Sequence, residues 1–187
     1  VYNPAGDKAN LYANAGPAVD GGVILSGHTD VVPVVGQDWD TDPFKVVEKD
    51  GKLYGRGTCD MKGFDAIALT AVPKALKRGI KRPIQIAMSY DEEVGCIGAP
   101  FMAAEMAKLM PKASAAIIGE PSMMKAVSGH KGGLGIKTHV RGFEVHSSLQ
   151  HIGVSAIHEA AKLIEWANQM NIKNELLVRS EATSMFT

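Results

Sequence analysis

The stretch GVILSGHTD, residues 22–30, decides the fold class of this chain. A short apolar run bounded by glycine is typical of a buried strand, and this run leads into a turn that holds His28 and Asp30. Parallel α/β sheets present functional groups in this way, at the carboxyl ends of their strands. The stretch therefore predicts a strand that delivers an imidazole and a carboxylate to one edge of a sheet.

Acidic residues recur in three further turn-rich segments. These are YGRGTCDMKG with Asp60, SYDEEVG with Glu92 and Glu93, and IIGEPS with Glu120. Two neighbouring carboxylates repel each other, which costs stability unless a cation lies between or beside them. Four motifs that together supply an imidazole and several carboxylates predict a metal site.

Each of these residues also has a structural interpretation. Asp60 precedes a helical pattern that begins at Met61, so it is also a candidate helix N-cap. The pair Glu92 and Glu93 is also compatible with a solvated charged loop. For His28 the metal interpretation is favoured, because Asp30 two positions later can accept the second imidazole N–H and fix the tautomer of a bound histidine.

Composition sets the class of protein. Of 187 residues, 45% are hydrophobic and 21% charged, which fits a globular protein with a real core. Lys+Arg and Asp+Glu both total 20, so no basic face is implied and nucleic acid is not expected as a partner. No apolar run has the roughly 18 residues of a membrane span. Cys59 and Cys96 are expected to be buried free thiols in a reducing cytosol, although sequence leaves a disulfide open.

The order of the predicted elements favours an α/β fold, with a mostly parallel (mixed) sheet and helices on both faces. The pattern changes near Ser128, where we place a domain boundary. Pro73 should kink the helix predicted over residues 61–77, or place a break near Val72. Strands are predicted near residues 10–13, 22–26, 52–55, 83–89, 113–118 and 134–140, and helices over 61–77, 98–109 and 155–170.

The motifs HTDVVP, GRGTCDMKG, DEEVG, GEPS and the later HSSL resemble a family of metal-dependent deacylases and peptidases. That family includes acetylornithine deacetylase, succinyl-diaminopimelate desuccinylase, aminoacylase and glutamate carboxypeptidase. The motifs occur in the family order from His28 to Ser148. GEPS followed by GHKGG is most similar to the acetylornithine deacetylases, which implies a cytoplasmic enzyme of arginine biosynthesis that hydrolyses an N-acyl amino acid.

The resemblance implies two zinc ions, with cobalt as a substitute. It makes residues 1–127 part of a catalytic domain and 128–187 the first part of an α+β lid domain through which the protein forms a homodimer. His146 in the lid would reach the partner subunit's site and stabilise the oxyanion. The roles implied for the site are as follows: His28 and Glu120 bind one metal, Asp60 bridges both, Glu93 binds the second, Glu92 is the general base, and Asp30 supports His28.

Two departures from the family pattern stand out. Val145 and Gln150 flank the HSS motif where the family has a small residue and a proline. In the family, a histidine from late in the chain also binds the second metal. No histidine follows His158 in this sequence. We therefore expect a fragment, roughly the middle half of a full-length enzyme, that binds one zinc or none and is itself inactive.

Other functions stay open on the sequence. A succinyl-diaminopimelate desuccinylase, a metallo-carboxypeptidase or an aminoacylase would use the same motifs. A non-catalytic metal-binding remnant is a further alternative, against which the intact Glu92 argues. A di-metal phosphoesterase uses similar ligands but gives no role to His146.

Overall fold

The computed structural model describes residues 2–129 and 132–185, and the side chains of these residues up to 175. The chain forms two compact units, Val1–Ser128 and Gly129–Thr187. The catalytic and lid roles expected of residues 1–127 and 128–187 remain predictions. Part of the GHKGG segment, residues 130 and 131, lies outside the described residues.

A four-stranded mixed sheet organises the first unit. Its elements in chain order are β1 (Leu11–Ala15), β2 (Gly22–His28), β5 (Ile84–Ser89) and β6 (Ala113–Ile118), with a separate hairpin of β3 (Val47–Lys49) and β4 (Lys52–Tyr54). The spatial order is β1-β5-β2-β6. Strand β2 is parallel to both of its neighbours, and β1 is antiparallel to β5 at the edge. The predicted mostly parallel, mixed sheet is confirmed.

Helices α1 (Lys62–Lys77) and α2 (Ala99–Leu109) cover opposite faces of this sheet. Successive side chains of a strand point to opposite faces, and β5 shows this alternation. Ile86 and Met88 pack with Ala68 of α1, whereas Ala87 between them packs with Met102 of α2. The two apolar cores confirm the prediction of helices on both faces.

Two local predictions for the first unit have different outcomes. The strand predicted near residues 52–55 is confirmed as Lys52–Tyr54, which pairs with Val47–Lys49 in a small hairpin. The break that was predicted near Val72 as the alternative to a kink is not seen, because helix α1 runs through Pro73. Pro73 lies on the exposed side of the helix, where water can satisfy the carbonyl group that a proline leaves without its amide partner.

The second unit contains a 3₁₀ helix, Ser147–Ile152, and the long helix α3, Ala156–Met185. The predicted helix over 155–170 forms and extends further along the chain. The strand predicted over 134–140 is wrong, because its described residues 134–140 show no pairing with any other described segment. Backbone N–H and C=O groups need such partners for a strand to persist. Among the described helices none has the length and apolar character to cross a membrane.

Candidate metal centre

The three parallel strands of the first unit end at the same edge of the sheet. His28 is the last residue of β2 and lies opposite Ser89, the last residue of β5. The segment with Glu92 and Glu93 continues from β5, and Glu120 follows β6 by two residues. The chain therefore brings these side chains together because its parallel strands point the same way.

Asp60 reaches the same edge by a different route. It lies in the turn between the β3–β4 hairpin and helix α1, two residues before that helix begins. The N-cap position of α1 is held by Met61, and no side-chain cap bond forms there. The alternative role of Asp60 as a helix cap is therefore not seen.

The buried imidazole of His28 is the centre of the cluster, with only 1% of the residue exposed. Its Nε2 lies 3.2 Å from Asp60 Oδ1. The same nitrogen lies 3.8 Å from Glu92 Oε2 and 3.7 Å from Glu120 Oε1. One nitrogen therefore faces carboxylates that arrive from three different segments of the chain.

Asp30 lies behind this imidazole. His28 Nδ1 is 3.1 Å from the Asp30 backbone carbonyl and 3.5 Å from its carboxylate. The Asp30 carboxylate also accepts hydrogen bonds from the backbone N–H groups of Glu92, at 3.1 Å, and Glu93, at 3.0 Å. A proton on Nδ1 would leave the Nε2 lone pair free for a cation, so Asp30 connects the orientation of His28 to that of the acidic pair.

The carboxylates are crowded enough to change their acidity. Burial, followed by repulsion from Asp60, raises the pKa of Glu93 and of Glu120. Burial acts in the same direction on Asp30, but its hydrogen bonds from the Glu92 and Glu93 amides bring its pKa below the ordinary value. The crowded acids would be relieved by a positive charge placed among them.

His28 responds to the same surroundings. Burial by itself would lower the pKa of His28, but the hydrogen bonds to Asp60 and to the Asp30 carbonyl bring it above the ordinary value. The neighbouring carboxylates thus produce a negative electrostatic potential around the imidazole. This potential stabilises a positive charge at or near the ring.

The donor atoms fit a divalent metal ion. Two groups of three donors each lie within 4.8 Å of one another, namely His28 with Glu92 and Glu120, and His28 with Asp60 and Glu93. Imidazole nitrogen with carboxylate oxygens is a ligand set that zinc accepts. Both groups contain His28. The two groups among the described residues therefore provide three protein ligands for one ion, but not for two ions together. The bridging role of Asp60 remains a prediction.

His146 lies in the second unit, apart from this cluster in the sequence. It caps the 3₁₀ helix, where its Nδ1 accepts from the Ser148 backbone N–H at 3.2 Å and lies 2.8 Å from the Ser148 hydroxyl oxygen. Within the second unit, His146 is exposed. The oxyanion role remains a prediction.

Both cysteines are free and exposed, so the expectation that they are buried is wrong. They lie in the turns that carry the acidic residues, and these turns are at the open edge of the sheet and not in its core. The Cys96 thiol donates to Glu92 Oε1 at 3.3 Å, and this hydrogen bond raises the pKa of Cys96. The sequence places Cys96 four residues after Glu92 but does not indicate the left-handed backbone at Cys96.

Sequence reasoning also missed Asn10, which holds both ends of the loop that carries the acidic pair. Its side-chain amide donates to the Gly98 carbonyl at 2.9 Å, and its carbonyl oxygen accepts from the Tyr90 amide at 3.2 Å. These partners are 88 and 80 residues away. No local pattern in the sequence points to so distant a contact.

Known proteins match most of this chain in sequence. The model of Peptidase family M20/M25/M40 matches residues 24–184. Acetylornithine deacetylase of Pasteurella multocida is 40% identical over 173 residues, which cover 91% of this chain and 43% of that protein. The chain thus spans less than half the length of this relative.

Two solved structures share the fold. Human carnosine dipeptidase 1 is 31% identical with a TM-score of 0.52, over 58% of this chain and 24% of its own. The M20 family metallo-carboxypeptidase Sso-CP2 from Sulfolobus solfataricus, at 24% identity and a TM-score of 0.52, covers 59% of this chain and 25% of its own. The family match spans most of the chain and contains every residue of the His28 cluster, and this chain belongs to Peptidase family M20/M25/M40.

Proposed function

We propose that this chain carries the metal centre of a hydrolase that cleaves the amide bond of an N-acyl amino acid, with N-acetylornithine as the favoured substrate. The observation that carries the proposal is the convergence of carboxylates from three segments on His28 Nε2. The choice of substrate draws on the 40% identity to an acetylornithine deacetylase.

The metal ligands proposed are His28, Asp60, Glu93 and Glu120. Glu92 is left out because its role is to move protons, although its Oε2 lies 3.8 Å from His28 Nε2. Divalent cations, zinc or cobalt, would polarise the scissile carbonyl group and make water in the site more acidic when bound. Two ions are proposed for the full polypeptide that carries this sequence.

Glu92 is the proposed general base. It takes a proton from the water that attacks the amide carbonyl carbon and returns that proton to the nitrogen as the C–N bond breaks. Its position suits this role, because Asp30 holds its backbone N–H and its Oε2 faces the cluster. Such proton transfer contributes about 10²–10⁴-fold to the rate of an enzyme.

The finer features of the proposal rest on the resemblance of the sequence motifs to the family. We propose that His146 stabilises the oxyanion across a homodimer formed through residues 128–187, and that the protein acts in the cytoplasm. Succinyl-diaminopimelate desuccinylase and carboxypeptidase or aminoacylase activities are the alternatives within the family. An inactive metal-binding remnant is the alternative outside enzymes.

The test uses Glu92→Gln in the full polypeptide, assayed on N-acetylornithine, N-succinyl-diaminopimelate and a dipeptide. We expect activity on N-acetylornithine, unchanged metal content, and turnover lower by at least about 10²-fold in the variant. Glu105→Gln is the matched control, because this glutamate pairs with Lys108 on helix α2. Near-normal turnover of Glu92→Gln would show that the base is another group, and hydrolysis of none of the three substrates would favour the remnant.

A further inference from the structure

Cys96 closes the turn that carries Glu92. Its backbone N–H donates to the Glu92 carbonyl at 2.9 Å, as does that of Gly95. Cys96 has φ of +56°, in the left-handed region that favours glycine. A side chain at this position therefore carries a conformational cost that glycine would avoid.

The thiol of Cys96 contacts the proposed base directly. It donates to Glu92 Oε1 at 3.3 Å, and the other oxygen of the same carboxylate, Oε2, lies 3.8 Å from His28 Nε2. One oxygen is thus held by the thiol and the other faces the cluster. Rotation of the carboxylate out of this orientation would break the thiol contact.

Among the described residues, the Cys96 thiol donates the one hydrogen bond that the Glu92 carboxylate accepts. The hydrogen bond that Glu92 donates to Asp30 Oδ1 comes from its backbone N–H, so it restrains the backbone and not the side chain. Glutamate has three side-chain torsions, so a fixed backbone still leaves many positions for the carboxylate. A donor four residues later that binds Oε1 restricts these positions to those that present Oε2 to the site.

We propose that Cys96 is a positioning residue for Glu92, which holds the carboxylate in the orientation needed for proton transfer. This inference rests on the proposed function, because it presumes that Glu92 is the base. Cys96 itself touches neither substrate nor metal in this account. Its effect should therefore appear in kcat and leave KM nearly unchanged.

The test compares Cys96→Gly, Cys96→Ala and Cys96→Ser in the full polypeptide with bound metal. Glycine relieves the positive φ and removes the donor, so a purely structural role predicts an enzyme at least as stable and as active as the parent. The positioning role predicts that Cys96→Gly and Cys96→Ala keep their metal but lose about tenfold in kcat, because misplaced catalytic groups cost rate. Cys96→Ser, which restores a donor, should recover most of that loss.

Two controls separate this inference from the proposed function. Cys59→Ser should keep the parental kcat, because no hydrogen bond from its thiol is found among the described residues. Cys96→Gly added to Glu92→Gln should cause no further loss. Parental kcat in Cys96→Gly, with Glu92→Gln inactive, would overturn the positioning role alone. Parental kcat in Glu92→Gln would overturn both the role of the base and the inference built on it.

Discussion

Replacement of Asn10 by alanine should loosen the loop that carries Glu92 and Glu93. Asn10 is 5% exposed, and its side chain bonds the Tyr90 amide at one end of the loop and the Gly98 carbonyl at the other. Alanine can replace neither bond. Both backbone groups would then be buried without this partner.

The magnitude follows mainly from the Tyr90 amide. The Gly98 carbonyl keeps the hydrogen bond that it accepts from the Met102 amide at 3.3 Å, so the Tyr90 amide is the group that loses its partner. A buried donor that is left unsatisfied costs about 1–3 kcal/mol. Water that enters the space of the lost side chain satisfies part of this demand, so we expect a loss of about 1–2 kcal/mol in the free energy of opening the loop.

Hydrogen exchange of the Ile97 amide measures this opening. That amide donates to the Asp91 carbonyl at 3.0 Å, so it reports the loop without itself losing a bond to Asn10. Its exchange should become about 5- to 30-fold faster in Asn10→Ala, since each 1.4 kcal/mol is tenfold. Asn14→Ala is the matched control, because Asn14 is exposed and its side chain, among the described residues, makes only a 3.5 Å hydrogen bond to the Gly16 carbonyl. Equal exchange in the two variants would refute this account of the loop.

Two further substitutions test the packing beneath the site. A Cβ at Gly119 would lie 2.0 Å from the Phe64 ring, so Gly119→Ala should cost about 1–3 kcal/mol of stability in urea unfolding. Gly129→Ala should not lower stability, because a Cβ at Gly129 would meet nothing within 4 Å. Burial raises the pKa of Asp65, so its stabilising contribution is complete below about pH 4 and is lost as pH rises through its folded pKa. With metal removed by a chelator, the free energy of unfolding of Asp65→Asn should therefore increase relative to that of the parent as pH rises from 4 to 7. A difference between the two free energies that does not change with pH would contradict a raised pKa at Asp65.

The strands of the main sheet were predictable because each is a short apolar run next to a polar turn. The run at 22–28 and that at 84–89 carry enough apolar side chains to identify both as buried. The strand predicted over 134–140 failed for a different reason. Alternation marks which residues could face a core, but a strand also needs a neighbour, and the sequence does not say whether one exists.

Apart from Asp60, the acidic residues of the candidate site were predictable from their positions after strands of the main sheet. Because parallel strands end at one edge, residues far apart in sequence could be expected to meet there. The supports of the site were not predictable in the same way. Asn10 acts through bonds across 80 and 88 residues, and the contact of Cys96 depends on a left-handed backbone that no apolar pattern indicates.

Diffraction at the zinc absorption edge, from crystals of this 187-residue chain grown with zinc, tests the central claim most directly. We predict one ion per chain at about 2.0–2.1 Å from His28 Nε2, because both groups of three donors contain His28 and this nitrogen faces Asp60 and Glu120. Carboxylates from Asp60, Glu93 or Glu120 should complete its ligands, and His28→Ala should abolish the signal. Zinc bound elsewhere on the chain, or none near His28, would contradict the claim that these residues form a metal centre.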